Sequence, residues 1–512
     1  MTVIRRLVGM SLILLVSGFA FAGGQGEAAA TGADAGVVQI EYLRWEHPLM
    51  PHNPEAATFD VIEEKTGVRI NVGSFPVADR QQKHRTLIAS NNMPDMIYAP
   101  GESLDEAFGR DGVFLAVSEY WDHAPNYKRL LDELPYSDGM YVEGNLYAFA
   151  QLTKANARPA GRMPIIRTDL LERYNLDMPQ SMEELYDVLE VFKEENPDSF
   201  PWTHRGSLSG QLNTQVYSWN TGPHIYFDYD RDKWMYGPIM NEYRAAVEFY
   251  ARAYEAGILD PNQNSNAKFG ENLAAERSFF YWDNSTFMTN FNPNLRQINP
   301  EGRLEAMAIP SNPFGPTRAM LYPDPPVQKV HLLSADIEAP EKVVAMMDYL
   351  YTDEGSLLTN WGIEGETYRM VEGEPELLPE IVEKYAQQND PYRSFIAENA
   401  LGNAMLALYL DDRSGLNWMS DVAKKSLDYW RTAPEMEFER VVPPPFTKAE
   451  AERITDIEAN LENVVTPQIE TFIIGEKPLG EWDSYVESAI RAGAQDLEDL
   501  YNEAEQRMRS GN

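Results

Sequence analysis

Residues 37–72 read VVQIEYLRWEHPLMPHNPEAATFDVIEEKTGVRINV, and the reading of this stretch decides the fold class. Val37 to Tyr42 is a β-branched run that predicts a strand. From about Glu55 to Thr66 the apolar residues fall at helical spacing, and Gly67 stops the helix. Val68 to Val72 then alternates with a period of two. Further on, a helix from about Arg80 to Ser90 leads to a short apolar strand, Met96 to Tyr98. Strand, helix, strand, helix, strand predicts a parallel α/β sheet with crossover helices. Ligands of such sheets sit beyond the carboxyl ends of the strands, and those ends carry Trp45 with His47, Phe75, and Tyr98 with Gly101.

Beyond this unit, Gly139 to Phe149 predicts a hairpin turning at Glu143-Gly144-Asn145. Ile165 to Arg167 is a brief strand that precedes a helix opened by Thr168. Ser181 and Glu184 form a capping box for a helix to about Glu195. Met240 to Ala256 is amphipathic and ends at Gly257. Strands are expected at Ser278 to Trp282, Leu304 to Ile309 and Val330 to Leu333, and Pro340 opens the helix 341–351. After about Glu376 the pattern is nearly all helical, with long periodic stretches at 448–473 and 481–508. No internal repeat and no long linker interrupts it. Two α/β lobes without a tether imply a chain that crosses back and forth, a geometry that closes on a ligand through hinges at element ends.

Composition narrows the function. Arg5 and Arg6, the apolar run Leu7 to Val16, and Ala20-Phe21-Ala22 have the pattern of a signal peptide over residues 1–22, and the small, polar residues 23–36 read as a flexible leader. No later stretch has the 18 or so apolar residues of a membrane span, so stable membrane insertion is not expected. The sequence contains no Cys, which removes disulfides, thiolate metal sites, Cys nucleophiles and a lipid-modified Cys. An unlipidated exported chain fits a periplasm. A formal charge of −37 argues against nucleic acid as a partner. With 80 acidic residues, paired carboxylates are inevitable and carry no weight for a glycosidase. No G-x-S-x-G, H-E-x-x-H, Walker loop or G-x-G-x-x-G occurs, and the seven His are scattered, so no catalytic residue, metal or cofactor is expected.

Residues Asn360 to Tyr368 read NWGIEGETY. Gly362 and Gly365 permit a sharply bent loop that could present Trp361, Glu364 and Tyr368 as one flat-plus-polar group. A helix end with a buried Trp is the alternative. This run resembles a segment of the extracellular solute-binding proteins that deliver sugars to ABC importers. Further pieces match that family in order: Glu64 to Val68, the Ala89-Ser90-Asn91-Asn92-Met93-Pro94-Asp95 run, Arg167 to Leu171 with Pro179 and Ser181, Tyr254 to Asp260, and Phe472 to Gly475 followed by Trp482-Asp483-x-Tyr485. Together they span about residues 40–508. The large oligosaccharide-binding members, similar to the alginate-binding and LplA-like lipoproteins, are the nearest in pattern.

The resemblance implies a two-lobe periplasmic-binding-protein (type II) α/β fold with crossovers between lobes and a helix-rich C-terminal part. Residues 37–160 with about 306–371 would form one lobe, and 161–305 with about 372–512 the other. It also implies a monomer that holds an oligosaccharide between the lobes and docks on the permease subunits of an importer. Alginate-binding relatives carry an Asp/Asn-rich calcium loop after the capping-box helix. The stretch Glu195-Asn196-Pro197-Asp198-Ser199-Phe200-Pro201-Trp202 is too poor in oxygen ligands for calcium, so none is expected.

Sugars offer hydroxyl edges and apolar faces, so a site needs aromatic platforms beside carboxylates, amides and guanidinium groups. The candidates on that chemistry are Trp45, Gln151, Arg162, Trp219, Trp282, Asp283, Trp361, Glu364 and Tyr368. Trp202, Asn220 and Arg158 are weaker candidates, while Arg167 reads as a helix brace and Tyr409, Trp418 and Trp430 as core. Trp282→Ala is expected to weaken binding at least tenfold with the fold intact. Two alternatives stay open: a secreted carbohydrate-active enzyme, and the same binding fold used for a peptide or other organic solute.

Overall fold

The computed structural model describes residues 36–46, 51–90, 92–100, 104, 108–109, 111–134, 137–154, 162–262, 266–284, 287–315, 327–388, 390–402, 405–419, 421, 424–425 and 443–510. The expected signal peptide, nearly all of the expected leader, His47, Arg158 and Trp430 lie outside the described residues.

Thirteen strands are described. They are β1 (Val38–Glu46), β2 (Val68–Pro76), β3 (Met96–Tyr98), β4 (Ala148–Thr153), β5 (Arg162–Arg167), β6 (Ile225–Asp228), β7 (Lys233–Tyr236), β8 (Phe280–Asn284), β9 (Leu304–Ala306), β10 (Val327–Leu333), β11 (Tyr368–Val371), β12 (Glu374–Leu377) and β13 (Tyr409–Leu410). The expected opening is present: β1 pairs parallel with β2 and β3, with Val38 opposite Val68 and Tyr42 opposite Met96. The helix Ala57–Thr66 joins β1 to β2 and ends on Gly67 in the left-handed region, at φ 68°. There a Cβ would be strained, and glycine is not.

The main sheet runs β13-β4-β10-β3-β1-β2. β10 lies antiparallel between β3 and β4, so a strand from late in the chain is inserted into a sheet begun by the first hundred residues. The second sheet has the same plan. Its named strands run β8-β5-β9, with β5 antiparallel to both neighbours. Trp202 extends it through parallel bridges to Phe280 on β8 and to Leu259. In each sheet, therefore, three parallel segments are followed by one antiparallel strand and then by a strand of the first sense, β4 or β9, with β13 added beyond β4 in the main sheet. The antiparallel member in each case, β10 or β5, is the strand on which the chain has just crossed over. This order is that of the type II periplasmic-binding-protein fold.

Two core clusters with no residue in common lie under these sheets. One gathers Ile40, Tyr42, Met96, Phe149, Val330 and Met347 around β1–β4 and β10. The other gathers Ile165, Leu189, Tyr250, Phe280, Leu461 and Tyr485 around β5, β8 and the late helices. The late helices pack there as an apolar stripe. Lys448–Ile473 buries Ile454, Ile457, Leu461, Val465, Ile469 and Phe472, and Thr447 with Glu450 closes its N-terminus as a reciprocal capping box.

Three expectations are corrected. The Glu143-Gly144 turn exists, with φ 51° and 83° and paired Val142–Asn145 hydrogen bonds, but no hairpin forms around it. β4 leaves the turn to pair with β10 and β13 instead. The periodic stretch 481–508 is two helices, Trp482–Arg491 and Ala494–Arg509, broken at Gly493 with φ 112°. Ser181 accepts from the Glu184 N–H as expected, yet the Glu184 carboxylate returns to the N–H of Gln180, not of Ser181.

Candidate ligand-binding site

Strand direction locates the site. β4 runs in the same sense as β1, β2 and β3, because β10 opposes both β3 and β4. The carboxyl ends of all four therefore lie on one sheet edge, and from that edge the chain departs after Thr153. It re-enters at Arg162, the first residue of β5, opposite Asn284 at the carboxyl end of β8. Only residues 154–161 separate the two edges, a reach of about 30 Å at full extension. The carboxyl ends of both sheets thus lie at the two ends of one short connection, and ligands of α/β sheets bind beyond such ends.

On the first edge, Trp45 is half-buried, with its ring 5.2 Å from that of Tyr98. Glu46 accepts hydrogen bonds from Ser74 Oγ at 2.7 Å and the His52 N–H at 3.1 Å. The Ser74 hydroxyl bond, with the His52 N–H and the nearby Arg44 charge, holds its carboxyl below the usual range against the opposing effect of burial. Arg44 is fully buried behind Trp45. Its Nε donates to the Trp45 carbonyl at 3.0 Å and its Nη1 to the Met405 sulfur, while its Nη2 has no partner. Among the described residues no carboxylate forms an ion pair with it. His331, also buried, bonds Tyr42 through Nε2 at 3.1 Å. Burial, helped by the Arg44 charge, pushes its imidazole down to about 3, so it is neutral.

On the second edge, Asp283 is buried at the end of β8. It receives a two-pronged bond from Arg205, through Nε and through Nη2 at 3.0 Å, and Arg162 Nε stands 3.8 Å away. The Asn284 N–H also donates to it at 2.7 Å. The Arg205 guanidinium lies 5.3 Å from the centre of the Phe287 ring. Both arginine side chains remain partly open to solvent, 25% for Arg162 and 31% for Arg205. The buried carboxylate orients the Arg205 guanidinium through this two-pronged bond.

Of the sequence candidates, Trp45, Arg162 and Asp283 lie at these edges. The others do not gather there. Gln151 is buried in β4 and donates to the Ala407 carbonyl at 2.8 Å. Trp219 packs on Phe249 at 5.6 Å, and Trp282 is 3% exposed within the core of the second sheet. Trp361 and Tyr368 are buried in a satellite cluster with Tyr385 and Phe395. The Trp361 indole donates to Asp411 at 3.3 Å, and of the three candidates in that run Glu364 is the exposed one. The helix-end alternative is the one present: Asp353–Trp361 is a helix that stops at Gly362, φ 90°, where a Cβ would collide with Thr367. Arg167 is the expected brace, paired with Asp169 through two 2.7 Å bonds and with Glu276 at 2.9 Å. Sequence reading missed Arg205 and Phe287. Their signal was position, just past the segment of Trp202 and just past β8.

The calcium-loop stretch does not fit a calcium ion. The Lys193 ammonium already donates to the carbonyls of Pro197 at 2.8 Å and Ser199 at 2.7 Å, and lies over the Phe200 ring. Among the described residues no group of three or more His, Asp or Glu side chains is assembled as a metal site. No described helix is long and apolar enough to cross a membrane.

Two sheets of type II order, with crossing strands and a polar-aromatic edge on each, define a two-lobe solute-binding protein. The model of the bacterial extracellular solute-binding proteins matches residues 53–356, more than half of the chain, and the chain belongs to that family. Among curated proteins it is similar to lipoprotein LipO of Bacillus subtilis, 22% identical across 88% of this chain and 89% of that protein. It is also similar to the fructooligosaccharide ABC transporter substrate-binding protein FusA of Streptococcus pneumoniae, 23% identical across 89% of this chain and 88% of that protein. Among solved structures, the alginate-binding protein AlgQ2 without calcium ion superposes with a TM-score of 0.73 at 18% identity, covering 92% of this chain and 98% of that one.

Proposed function

We propose that this protein is the substrate-binding component of an ABC importer, taking an oligosaccharide into the interlobe cleft and delivering it, chemically unaltered, to membrane permease subunits. Family membership, joined to the placement of both sets of strand ends at the two ends of one short connection, supports this reading. The contact residues proposed are Trp45 as an apolar platform and Arg162 with Arg205 as donors, Asp283 setting the orientation of Arg205. The lobes are proposed as 37–160 with about 306–371, and 161–305 with the late helices. β13 pairs with β4, which favours adding the chain up to about residue 410 to the first lobe and placing the last crossing between there and Lys448.

Export by cleavage near Ala22 and a monomeric life in the periplasm complete the proposal. The sequence has no Cys to carry a lipid. The test is a thermal-shift and calorimetric screen of the exported chain against oligosaccharides, followed by chromatography of the recovered sugar. A saccharide that raises the melting temperature and returns intact supports a carrier. Cut sugar would make the protein an enzyme, and stabilisation by peptides alone would move it to another solute.

A further inference from the structure

We infer that the sugar unit held on the first edge is gluco-configured, with every ring hydroxyl equatorial, and is received between the rings of Trp45 and Phe75; this rests on the carrier reading above. Strand register sets the pair. Trp45 on β1 lies directly opposite Phe75 on β2. Residues opposite one another on neighbouring strands point to the same face of the sheet, with the strands about 4.8 Å apart. Both residues stand at the carboxyl ends of their strands, and both are partly open to solvent.

Each ring rests on a different neighbour. Trp45 leans on Tyr98 of β3, on the far side of β1 from β2, with ring centres 5.2 Å apart. Phe75 meets the buried His84 of the helix Arg80–Ala89 in a T-shaped contact, at 5.7 Å and 87°. Trp45 is thereby drawn away from Phe75, and among the described residues no ring contact joins the two. The next pair on the same face is Leu43 opposite Gly73. Gly73 contributes no side chain there, and Leu43 Cδ1 stands 3.3 Å from where its Cβ would be. Leu43 therefore forms the base between the rings, so walls and base are hydrocarbon. The polar groups of these strand ends belong to the other face, where Ser74 Oγ donates to Glu46 at 2.7 Å.

This arrangement selects by stereochemistry. When all hydroxyls of a pyranose are equatorial, they radiate in the plane of the ring, and axial C–H bonds cover both faces. Such a unit lays one apolar face on each aromatic ring while its hydroxyls point out of the slot. An axial hydroxyl, as in manno- or galacto-configured units, points from one face into a wall that offers it no hydrogen bond, and burying it there is unfavourable.

The experiment is calorimetric titration of the exported chain with cellotetraose and maltotetraose as gluco-configured probes, and with mannotetraose and galactotetraose, whose units carry an axial oxygen. A gluco-configured probe is expected to bind about tenfold or more tighter than either axial one. Phe75→Ala is expected to weaken that probe by about tenfold and to abolish most of the preference, at an unchanged melting temperature of the free protein. Phe75→Tyr keeps the ring and should keep both affinity and preference. If Phe75→Ala does not fold, Phe75→Leu decides the point, since it keeps apolar bulk without a flat face and should lose the preference in the same way. Axial probes binding as tightly as the gluco-configured ones, or a preference that survives loss of the ring, would overturn the inference and leave the carrier standing. Binding only of saccharides outside these probes would do the same. Binding of no saccharide of any kind would overturn both.

Discussion

At the scale of single residues, what a side chain touches decides its role more than its chemical type does. Trp282 and Asp283 are neighbours on β8, yet one ring is locked in the core and the other side chain organises a polar edge. Successive residues on a strand face opposite sides, so a strand-end pair divides in this way. Trp282→Ala should accordingly cost about 3–5 kcal/mol of stability by leaving a cavity, seen as a lower urea midpoint. A midpoint unchanged from wild type would show that the ring is not core. His331 makes a second prediction. Its folded pKa of about 3 lies below the roughly 6.5 of an unfolded histidine. Between those values the unfolded chain holds one more proton than the native one. Stability from this group is complete above about pH 6.5 and falls as the pH is lowered toward 3, by about 5 kcal/mol at most. His331→Gln should flatten the stability profile between pH 6.5 and 4; parallel profiles for variant and wild type would place the acid sensitivity elsewhere.

Elements were legible where local pattern and tertiary packing agree. The helix Lys448–Ile473 matches its periodic stretch to the residue, since Thr447 and Glu450 cap it and one stripe is buried along its length. Where partners are distant in sequence, pattern gave less. A tight turn at Glu143-Gly144 cannot tell whether the next strand folds back or, as β4 does, joins strands more than 150 residues away. The platforms were over-read for a related reason: an aromatic after a strand looks alike in sequence whether it faces a cleft or a core. Trp45 and Trp361 differ only in what packs on them. The loop after the helix Met182–Glu195 was read correctly as poor in acids, but the cation in it was not legible. Lys193 lies in the helix, and its reach to Pro197 and Ser199 depends on how the chain folds back. Lys193→Met should therefore lower stability by about 1–3 kcal/mol, through two carbonyls left without a donor. Neither chelator nor millimolar calcium should move the melting temperature of the wild type. Stabilisation by calcium would mean that an ion can displace the ammonium.

At the scale of the molecule, the two cores share no residue, so each sheet can keep its packing while the angle between them changes. One described polar contact crosses the divide, beside the apolar packing of Leu416 and Met419 on the second core. Lys448 at the start of a late helix meets Asp111 of the first part at 3.1 Å, and both side chains are about half exposed. Exposed pairs of this kind contribute about 0–1 kcal/mol, too little to hold a closed state alone. In the proposed carrier a ligand shifts the equilibrium between lobe arrangements only by binding one better than the other. In the proposed site Trp45 on one edge and Arg162 and Arg205 on the other would supply that difference, because a saccharide bonded by both edges stabilises only the arrangement that brings them together. A saturating saccharide should shrink the radius of gyration in small-angle scattering and stabilise the fold by about 2.7 kcal/mol at a hundredfold excess over Kd. Asp111→Asn should leave both effects nearly unchanged, since the pair it breaks is marginal. Arg205→Gln should diminish both together. Ligand that stabilises the protein without changing the scattering profile would mean that the cleft is already closed when empty, and that binding selects no new arrangement.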